Sequence, residues 1–201
     1  MTFHIAVLVS GRGSNLEAIL KNIQAGRLSA KMSCVISDNP KAKALKIAEA
    51  HHVPTHIIES QNLDRENFDR LLIAKLQECP IDLIVLAGFM RLLTPTFLAA
   101  YPNKVINIHP ALLPAFKGLH AQRQTIEYGA KVAGCTVHFV DAGCDSGPII
   151  AQLTVPVLQN DTEASLSERI LTTEHQLYSE IIEKFAQGKV HLHGRKVKVE
   201  Y

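Results

Sequence analysis

Two polar side chains at the end of a short apolar run, Asn107 and His109, are well suited to chemistry at a carbonyl group. Residues 105–108 have the alternation of a strand, so Asn107 and His109 project from the same side of its end. Pro110 follows and stops the strand. An amide and an imidazole aimed at one point can donate hydrogen bonds to an oxyanion that forms on a carbonyl. The pair predicts oxyanion stabilisation, although a single strand histidine is more often a packed residue.

A carboxylate for this histidine is available in the loop at residues 141–148, which contains Asp141 and Asp145. A carboxylate beside an imidazole favours imidazolium and raises the histidine pKa toward or above neutrality. Such a pair could polarise a carbonyl oxygen and relay a proton from an attacking amine. Two glycines and a proline shape the loop, so both aspartates are also explained as turn formers. The residues alone do not decide between Asp141 and Asp145.

A glycine-rich turn at residues 10–15 follows the first apolar run and precedes a helical pattern. Glycines let the backbone turn sharply, and the start of a helix favours an anion. The dinucleotide motif would need a third glycine where Leu16 stands, and the lysine of a P-loop is missing. The turn predicts a site for a single phosphate. Ser14 and Glu17 also fit a capping box, which would explain the serine without a ligand.

The elements that must position these residues follow from apolar runs that alternate with helical periods. Strands are predicted at residues 3–10, 30–37, 55–58, 83–87 and 105–108, with helices at 14–25, 41–52, 64–78 and 95–101. Later residues predict strands at 133–140 and 149–157, a long helix at 162–186 and a strand-like region at 189–199. This order predicts an α/β fold with a doubly wound, mostly parallel sheet, whose ligands bind beyond the carboxyl ends of the strands.

Composition limits the class of protein. The 201 residues are 47% hydrophobic and 20% charged with a net charge of +2, which disfavours disorder and nucleic-acid binding. The apolar stretch at residues 81–90 is too short to span a bilayer. The first residues lack the features of a secretion signal, so we expect a cytoplasmic protein. Without a CxxC or HExxH motif we expect no metal, and without a linker we expect one domain, 1–201.

Several motifs, in order along the chain, resemble the folate-dependent formyltransferases. They are Asn107-Ile108-His109-Pro110, Leu112-Leu113-Pro114, Phe116-x-Gly118 and Asp145-x-Gly147-Pro148-Ile149. Residues 10–16 and 87–91 are similar to the branch of the family that acts on glycinamide ribonucleotide. The resemblance covers nearly the whole chain. It implies a Rossmann-like formyltransferase fold with a ribonucleotide-phosphate half at about residues 1–100 and a folate half at about residues 101–201.

The activity implied by this resemblance is transfer of a formyl group from the co-substrate 10-formyltetrahydrofolate to the amine of glycinamide ribonucleotide, a step of purine synthesis. No metal is implied. We expect small-molecule partners, no nucleic acid or membrane, and a monomer or weak homodimer.

The resemblance also implies a role for each matching residue. Asn107 and His109 would stabilise the tetrahedral oxyanion, while Asp145 would keep the histidine charged and assist proton transfer. Substrate contacts are implied for Gly13, Ser14 and Asn15 at the phosphate, for Glu174 at the ribose, and for Gly88 and Pro110. Folate contacts are implied for Arg65 at the glutamate tail and for Met90, Arg91, Leu92, Leu93, Asn107, Val140 and Asp141.

Three alternatives stay open. A methionyl-tRNA formyltransferase would need a second, basic C-terminal domain, and a hydrolase of 10-formyltetrahydrofolate would be expected to carry an N-terminal regulatory domain. A non-catalytic nucleotide-binding module would use only the glycine turn. That module would leave Asn107, His109 and Asp145 without a shared purpose.

Overall fold

The computed structural model describes residues 2–61 and 63–201. Its elements are, in order, β1 (Phe3–Val9), α1 (Ser14–Gln24), β2 (Ala30–Ser37), α2 (Lys43–Ala50), β3 (Thr55–Ile57), α3 (Arg65–Leu76), β4 (Leu83–Leu86), α4 (Pro95–Ala100), β5 (Val105–His109), α5 (Ala121–Tyr128), β6 (Val132–Phe139), β7 (Ile149–Pro156), α6 (Glu163–Ala186), β8 (Val190–His193) and β9 (Lys196–Val199). None of the helices described is long and apolar enough to cross a membrane.

Seven strands form one sheet in the order β3-β2-β1-β4-β5-β6-β7. β1 pairs in parallel with β2 and β4, β2 pairs in parallel with β3, and β4 pairs in parallel with β5. β6 and β7 are antiparallel, and β8 and β9 form a separate antiparallel pair. The predicted α/β class with a mostly parallel sheet is therefore confirmed, as are the long C-terminal helix and the short strands after it.

The chain divides into two compact units, residues 1–107 and residues 108–201. In the first unit, β1 supplies the centre of the core, because every residue from Ile5 to Val9 is completely buried. Full burial on both faces explains why this strand reads as a continuous apolar run rather than as an alternating one. β1 ends at Val9 and β4 ends at Leu86, so the loops that follow both strands lie at the carboxyl ends of neighbouring parallel strands.

In the second unit, the 24-residue helix α6 packs on β6 and β7. A capping box starts α6: the Thr162 side chain accepts from the Ser165 N–H, and the Ser165 hydroxyl accepts from the Thr162 N–H. Further along, the buried stripe holds Ile170, Leu177 and Ile181. Burial of this stripe supplies most of the stability of such a helix, because isolated helices are marginal in water.

Two elements differ from the sequence-based expectations. Helix α5 was not predicted, because its eight residues bury only Ala121 and Thr125 and therefore show no apolar period. Its ends are set by left-handed residues instead, His120 at φ 59° and Gly129 at φ 78°. The strand-like region at residues 189–199 is two strands, β8 and β9, separated by a turn.

Candidate functional site

The glycine turn of the first unit joins β1 to α1 through Gly13, which has φ +82°. A Cβ atom at Gly13 would lie 2.7 Å from both Cα and Cβ of Ala44. Both the left-handed conformation and the close approach of α2 therefore require glycine.

The capping-box interpretation of Ser14 is wrong. Gly13 is the N-cap residue of α1, and no side chain caps the helix. The Glu17 carboxylate lies 2.6 Å from the Lys21 ammonium group, one turn further along. The first N–H groups of a helix lack partners within it, and they carry its positive end. Ser14 and Asn15 thus occupy the first turn of a helix whose start is suited to an anion.

The loop after β4 is bonded to the loop after β1. The Ser10 N–H donates to the Gly88 carbonyl over 3.1 Å, and the Met90 N–H donates to the Ser10 hydroxyl over 2.9 Å. Gly88 has φ +73°, which glycine adopts without strain. Because of these bonds, the predicted substrate residue Gly88 is held next to the start of the glycine turn.

Four of the predicted folate residues of the first unit line one pocket of about 240 Å³: Arg65, Met90, Arg91 and Leu92. Met90 is 65% exposed and Leu92 is 49% exposed, so large apolar side chains meet water here. The Arg65 Nη2 donates to the Leu92 carbonyl over 3.1 Å, and the Arg91 guanidinium lies 4.4 Å from the centre of the Phe68 ring. Leu93, in contrast, is buried, so its side chain belongs to the core.

In the second unit, His109 is buried at the end of β5 and is 4% exposed. Its Nε2 lies 2.8 Å from the Phe116 carbonyl oxygen, and its Nδ1 lies 3.3 Å from Oδ2 of Asp145. Burial lowers the pKa of His109, and it outweighs the Phe116 carbonyl and the Asp145 carboxylate, which raise the pKa. The pKa of His109 is therefore lowered, and the expectation of a raised pKa is wrong.

Asp145 lies between two histidines. Its Oδ2 faces His109, and its Oδ1 lies 3.6 Å from Nε2 of His138. The Gly118 N–H also donates to Oδ2 over 2.8 Å. The contact with His138, with further contributions from the Gly118 N–H and from His109, holds the pKa of Asp145 well below its usual range. The group is a carboxylate at any ordinary pH.

Asp141 has a different role in the structure. Its Oδ1 accepts from the Ser146 hydroxyl over 2.7 Å and from the Gly143 N–H over 3.1 Å. These bonds close the loop on itself, as expected of a turn-forming aspartate. The structure therefore places Asp145 beside His109 and uses Asp141 to shape the loop.

His138 is the residue that the sequence-based reasoning missed. It lies on β6, is 2% exposed, and its Nδ1 lies 2.8 Å from the Phe139 carbonyl oxygen. The signal in the sequence was a histidine within the apolar run at residues 133–140, the same kind of signal that singled out His109. Because a strand histidine is commonly a packing residue, only its contact with Asp145 distinguishes it.

The loop that carries Asp145 is held from two sides. A Cβ atom at Gly147 would lie 1.8 Å from the Phe139 carbonyl oxygen, so the loop backbone sits directly against the end of β6. On the other side, the Arg195 Nη2 in the turn between β8 and β9 donates to the Ser146 carbonyl over 2.7 Å. Asp145 itself has φ 46°, a left-handed conformation that such support can maintain.

The remaining predicted site residues of the second unit lie at strand ends or on α6. Pro110 directly follows β5, and Val140 directly follows β6; both are partly exposed. Glu174 is 7% exposed on the apolar stripe of α6, as its spacing indicated. The residues described contain no group of three or more histidine, cysteine or acidic side chains that could hold a metal ion.

A family described as formyl transferase matches residues 3–182, and the chain belongs to this family. Within this family, the chain is similar to particular proteins. It is 42% identical over 180 residues to phosphoribosylglycinamide formyltransferase of Bacillus subtilis, a match that covers 89% of this chain and 92% of that protein. The crystal structure of glycinamide ribonucleotide transformylase 1 from Symbiobacterium toebii is 47% identical, with a TM-score of 0.97 over 100% of this chain and 95% of that one.

A relative with a different name has almost the same backbone. The structure of a formyltetrahydrofolate deformylase from Pseudomonas syringae matches with a TM-score of 0.94 but with 25% sequence identity. The match covers 100% of this chain and 67% of that chain. Backbone similarity alone therefore does not separate the two activities, and sequence identity favours the transferases.

Proposed function

We propose that this enzyme transfers the formyl group of 10-formyltetrahydrofolate to the amine of glycinamide ribonucleotide, producing formylglycinamide ribonucleotide and tetrahydrofolate. The observation that carries the proposal is the Asp145 carboxylate between His109 and His138, at the end of the strand that also carries Asn107. The identity of 42–47% to relatives named for this activity supports the choice of acceptor. These substrates require neither nucleic acid nor a metal.

The proposed reaction begins when the neutral amine of the ribonucleotide attacks the formyl carbon. A new C–N bond forms, and the electron pair of the carbonyl moves onto its oxygen. The Asn107 amide and the His109 imidazolium donate hydrogen bonds to this oxyanion, and the negative Asp145 stabilises the positive ring. The oxygen electron pair then reforms the C=O bond, and the bond from carbon to the folate nitrogen breaks as that nitrogen receives the proton released by the amine. No covalent enzyme intermediate is involved.

His109 must be released from one partner before it can act in this way. The Phe116 carbonyl lies 2.8 Å from Nε2, and Asp145 faces Nδ1. An oxyanion that takes its hydrogen bond from Nε2 must displace the Phe116 carbonyl. Phe116 has φ 52°, a conformation that is uncommon for a bulky residue. We propose that substrate binding moves this segment, and that the oxyanion then favours the charged form of His109.

Substrate contacts are proposed on the same physical grounds. Gly13, Ser14 and Asn15 would hold the ribonucleotide phosphate, because the start of α1 is uncapped by side chains and attracts an anion. Gly88, Pro110 and Glu174 would complete the ribonucleotide contacts, with the Glu174 carboxylate accepting from ribose hydroxyls.

The folate is proposed to use the pocket of Arg65, Met90, Arg91 and Leu92. Its exposed apolar side chains suit an aromatic ring system, and the Arg65 guanidinium suits the carboxylates of the glutamate tail. Leu93 contributes through its backbone, since its side chain is buried. Asn107, Val140 and Asp141 are the further proposed folate contacts.

The rival activity is hydrolysis of the formyl folate, because a formyltetrahydrofolate deformylase has almost the same backbone. Purified protein is incubated with 10-formyltetrahydrofolate, with and without glycinamide ribonucleotide, and tetrahydrofolate is measured. Our proposal expects product only when the ribonucleotide is present, in equal amounts to formylglycinamide ribonucleotide. Turnover with water at a comparable rate would identify a hydrolase instead.

A further inference from the structure

Two cysteines outside the proposed site have their sulfur atoms close together. The Sγ atoms of Cys34 and Cys79 are 3.6 Å apart. Cys34 is buried in β2, whereas Cys79, which follows α3, is partly exposed. A disulfide has a sulfur–sulfur distance of about 2.05 Å, so bond formation requires an approach of only about 1.5 Å.

A bulge in β2 holds the two thiols together. The register between β1 and β2 shifts at Ser33, which is the extra residue of β2. The Ser33 hydroxyl donates to the Pro80 carbonyl over 2.7 Å. Ser33 precedes Cys34 and Pro80 follows Cys79, so this bond links the backbones beside both sulfur atoms. The short distance between the two sulfur atoms is therefore fixed by the backbone and not by flexible side chains alone.

We propose that Cys34 and Cys79 are a modification site that forms a reversible disulfide with hydrogen peroxide. The Cys79 sulfur attacks peroxide: an S–O bond forms, the O–O bond breaks, and one water leaves, giving a sulfenic acid. The Cys34 sulfur then attacks the Cys79 sulfur: an S–S bond forms, the S–O bond breaks, and the departing hydroxyl takes the Cys34 thiol proton and leaves as a second water. Two thiols are oxidised, and one peroxide is reduced to two waters.

The order of these steps follows from access. Burial, together with Cys79, raises the pKa of Cys34 to about 12, so Cys34 is protonated and inaccessible to the oxidant. Cys79 is partly exposed, so of the two thiols in the pair it meets peroxide before Cys34. The other two thiols lie beside groups other than sulfur, Cys135 Sγ at 3.6 Å from the Thr173 hydroxyl and Cys144 Sγ at 3.6 Å from Asp145.

The disulfide is expected to change stability and not turnover. Cys79 precedes β4 in the chain, whereas residues 88–92 of the proposed site follow β4. The four residues of β4 span about 13 Å, and this length separates Cys79 from the proposed site. The bridge would join residues 45 positions apart, which restricts the unfolded chain and favours the folded state.

The test uses the full-length reduced protein treated with hydrogen peroxide and analysed by mass spectrometry without reductant. We expect a mass loss of about 2 Da that a thiol reductant reverses, and a linked peptide that contains Cys34 and Cys79 after digestion. The melting temperature should rise by at least about 5 °C on oxidation, with turnover unchanged.

Two single variants serve as a matched pair. Cys79→Ser should abolish both the mass loss and the rise in melting temperature, while Cys144→Ser should keep both. The proposal is overturned if wild type yields no Cys34–Cys79 peptide, if Cys79 gains oxygen without a bridge, or if Cys79→Ser still loses the same mass. The wild-type peptide decides the matter even if a variant fails to fold.

Discussion

Replacing the Asp145 carboxylate by an amide tests the proposed mechanism most directly. In Asp145→Asn the side chain keeps its size, and its oxygen can still accept from the Gly118 N–H. The variant loses the negative charge that lies 3.3 Å from Nδ1 of His109 and 3.6 Å from Nε2 of His138. The imidazolium that stabilises the oxyanion would then have no counter-charge.

The size of the loss follows from the distance between the charges. At 3.3 Å and an effective dielectric constant of about 20, a unit charge pair is worth about 5 kcal/mol. This is an upper value, because the amide oxygen of the variant retains part of the field. We therefore expect kcat to fall by about 10²- to 10³-fold, equivalent to about 3–4 kcal/mol.

The assay is steady-state formation of tetrahydrofolate with both substrates varied, and the control is Asp141→Asn. Both variants make the same chemical change in the same loop, but Asp141 bonds to Ser146 and Gly143 rather than to a histidine. The control should raise the KM for folate and keep kcat within about threefold of wild type. If Asp145→Asn keeps kcat within that range, or if both variants lose kcat equally, the assignment of Asp145 is refuted.

The same substitution has a consequence for stability. The folded pKa of Asp145 is below its unfolded pKa, so the carboxylate stabilises the fold above pH about 4 and loses this effect as pH falls. The gap in unfolding free energy between wild type and Asp145→Asn should therefore be largest near neutral pH and shrink on acidification. Denaturant unfolding at several pH values measures it; a gap that grows toward low pH would contradict the sign.

Three further substitutions test other parts of the site. Ser14→Asp should raise the KM for the ribonucleotide at least about tenfold, because the new carboxylate repels the phosphate, and should leave the KM for folate unchanged. A ribonucleotide KM equal to that of wild type would argue against phosphate binding at this turn. His138→Gln should lower kcat by about tenfold and shift the pH profile of kcat, because Asp145 loses the imidazole that lies 3.6 Å from its Oδ1; an unshifted profile would show that His138 is only a packing residue. Arg195→Ala should lower kcat by about threefold, with partial recovery in Arg195→Lys, because the Ser146 carbonyl loses its donor; full activity in the alanine variant would remove Arg195 from the support of the loop.

The fold could be predicted from the sequence because its main signals are local. The apolar run of β1 and the apolar stripe of α6 each report burial through their own periodicity, and the structure confirms both elements. Helix α5 was not predicted from the sequence because it is mostly exposed, so its apolar residues show little helical periodicity. The capping box at Ser14 was misread because a sequence pattern does not reveal that Gly13 is the N-cap residue.

For the site, the sequence by itself determined which residue types follow each strand: the glycine turn, the polar pair Asn107 and His109, and an acidic loop. It left two aspartates interchangeable and did not distinguish His138 from a packing histidine. The tertiary structure decided both points, since it turns Asp145 toward two buried histidines and turns Asp141 into its own loop. It also reversed the expected direction of the His109 pKa, because burial depends on everything packed around the ring and not on its neighbours in sequence.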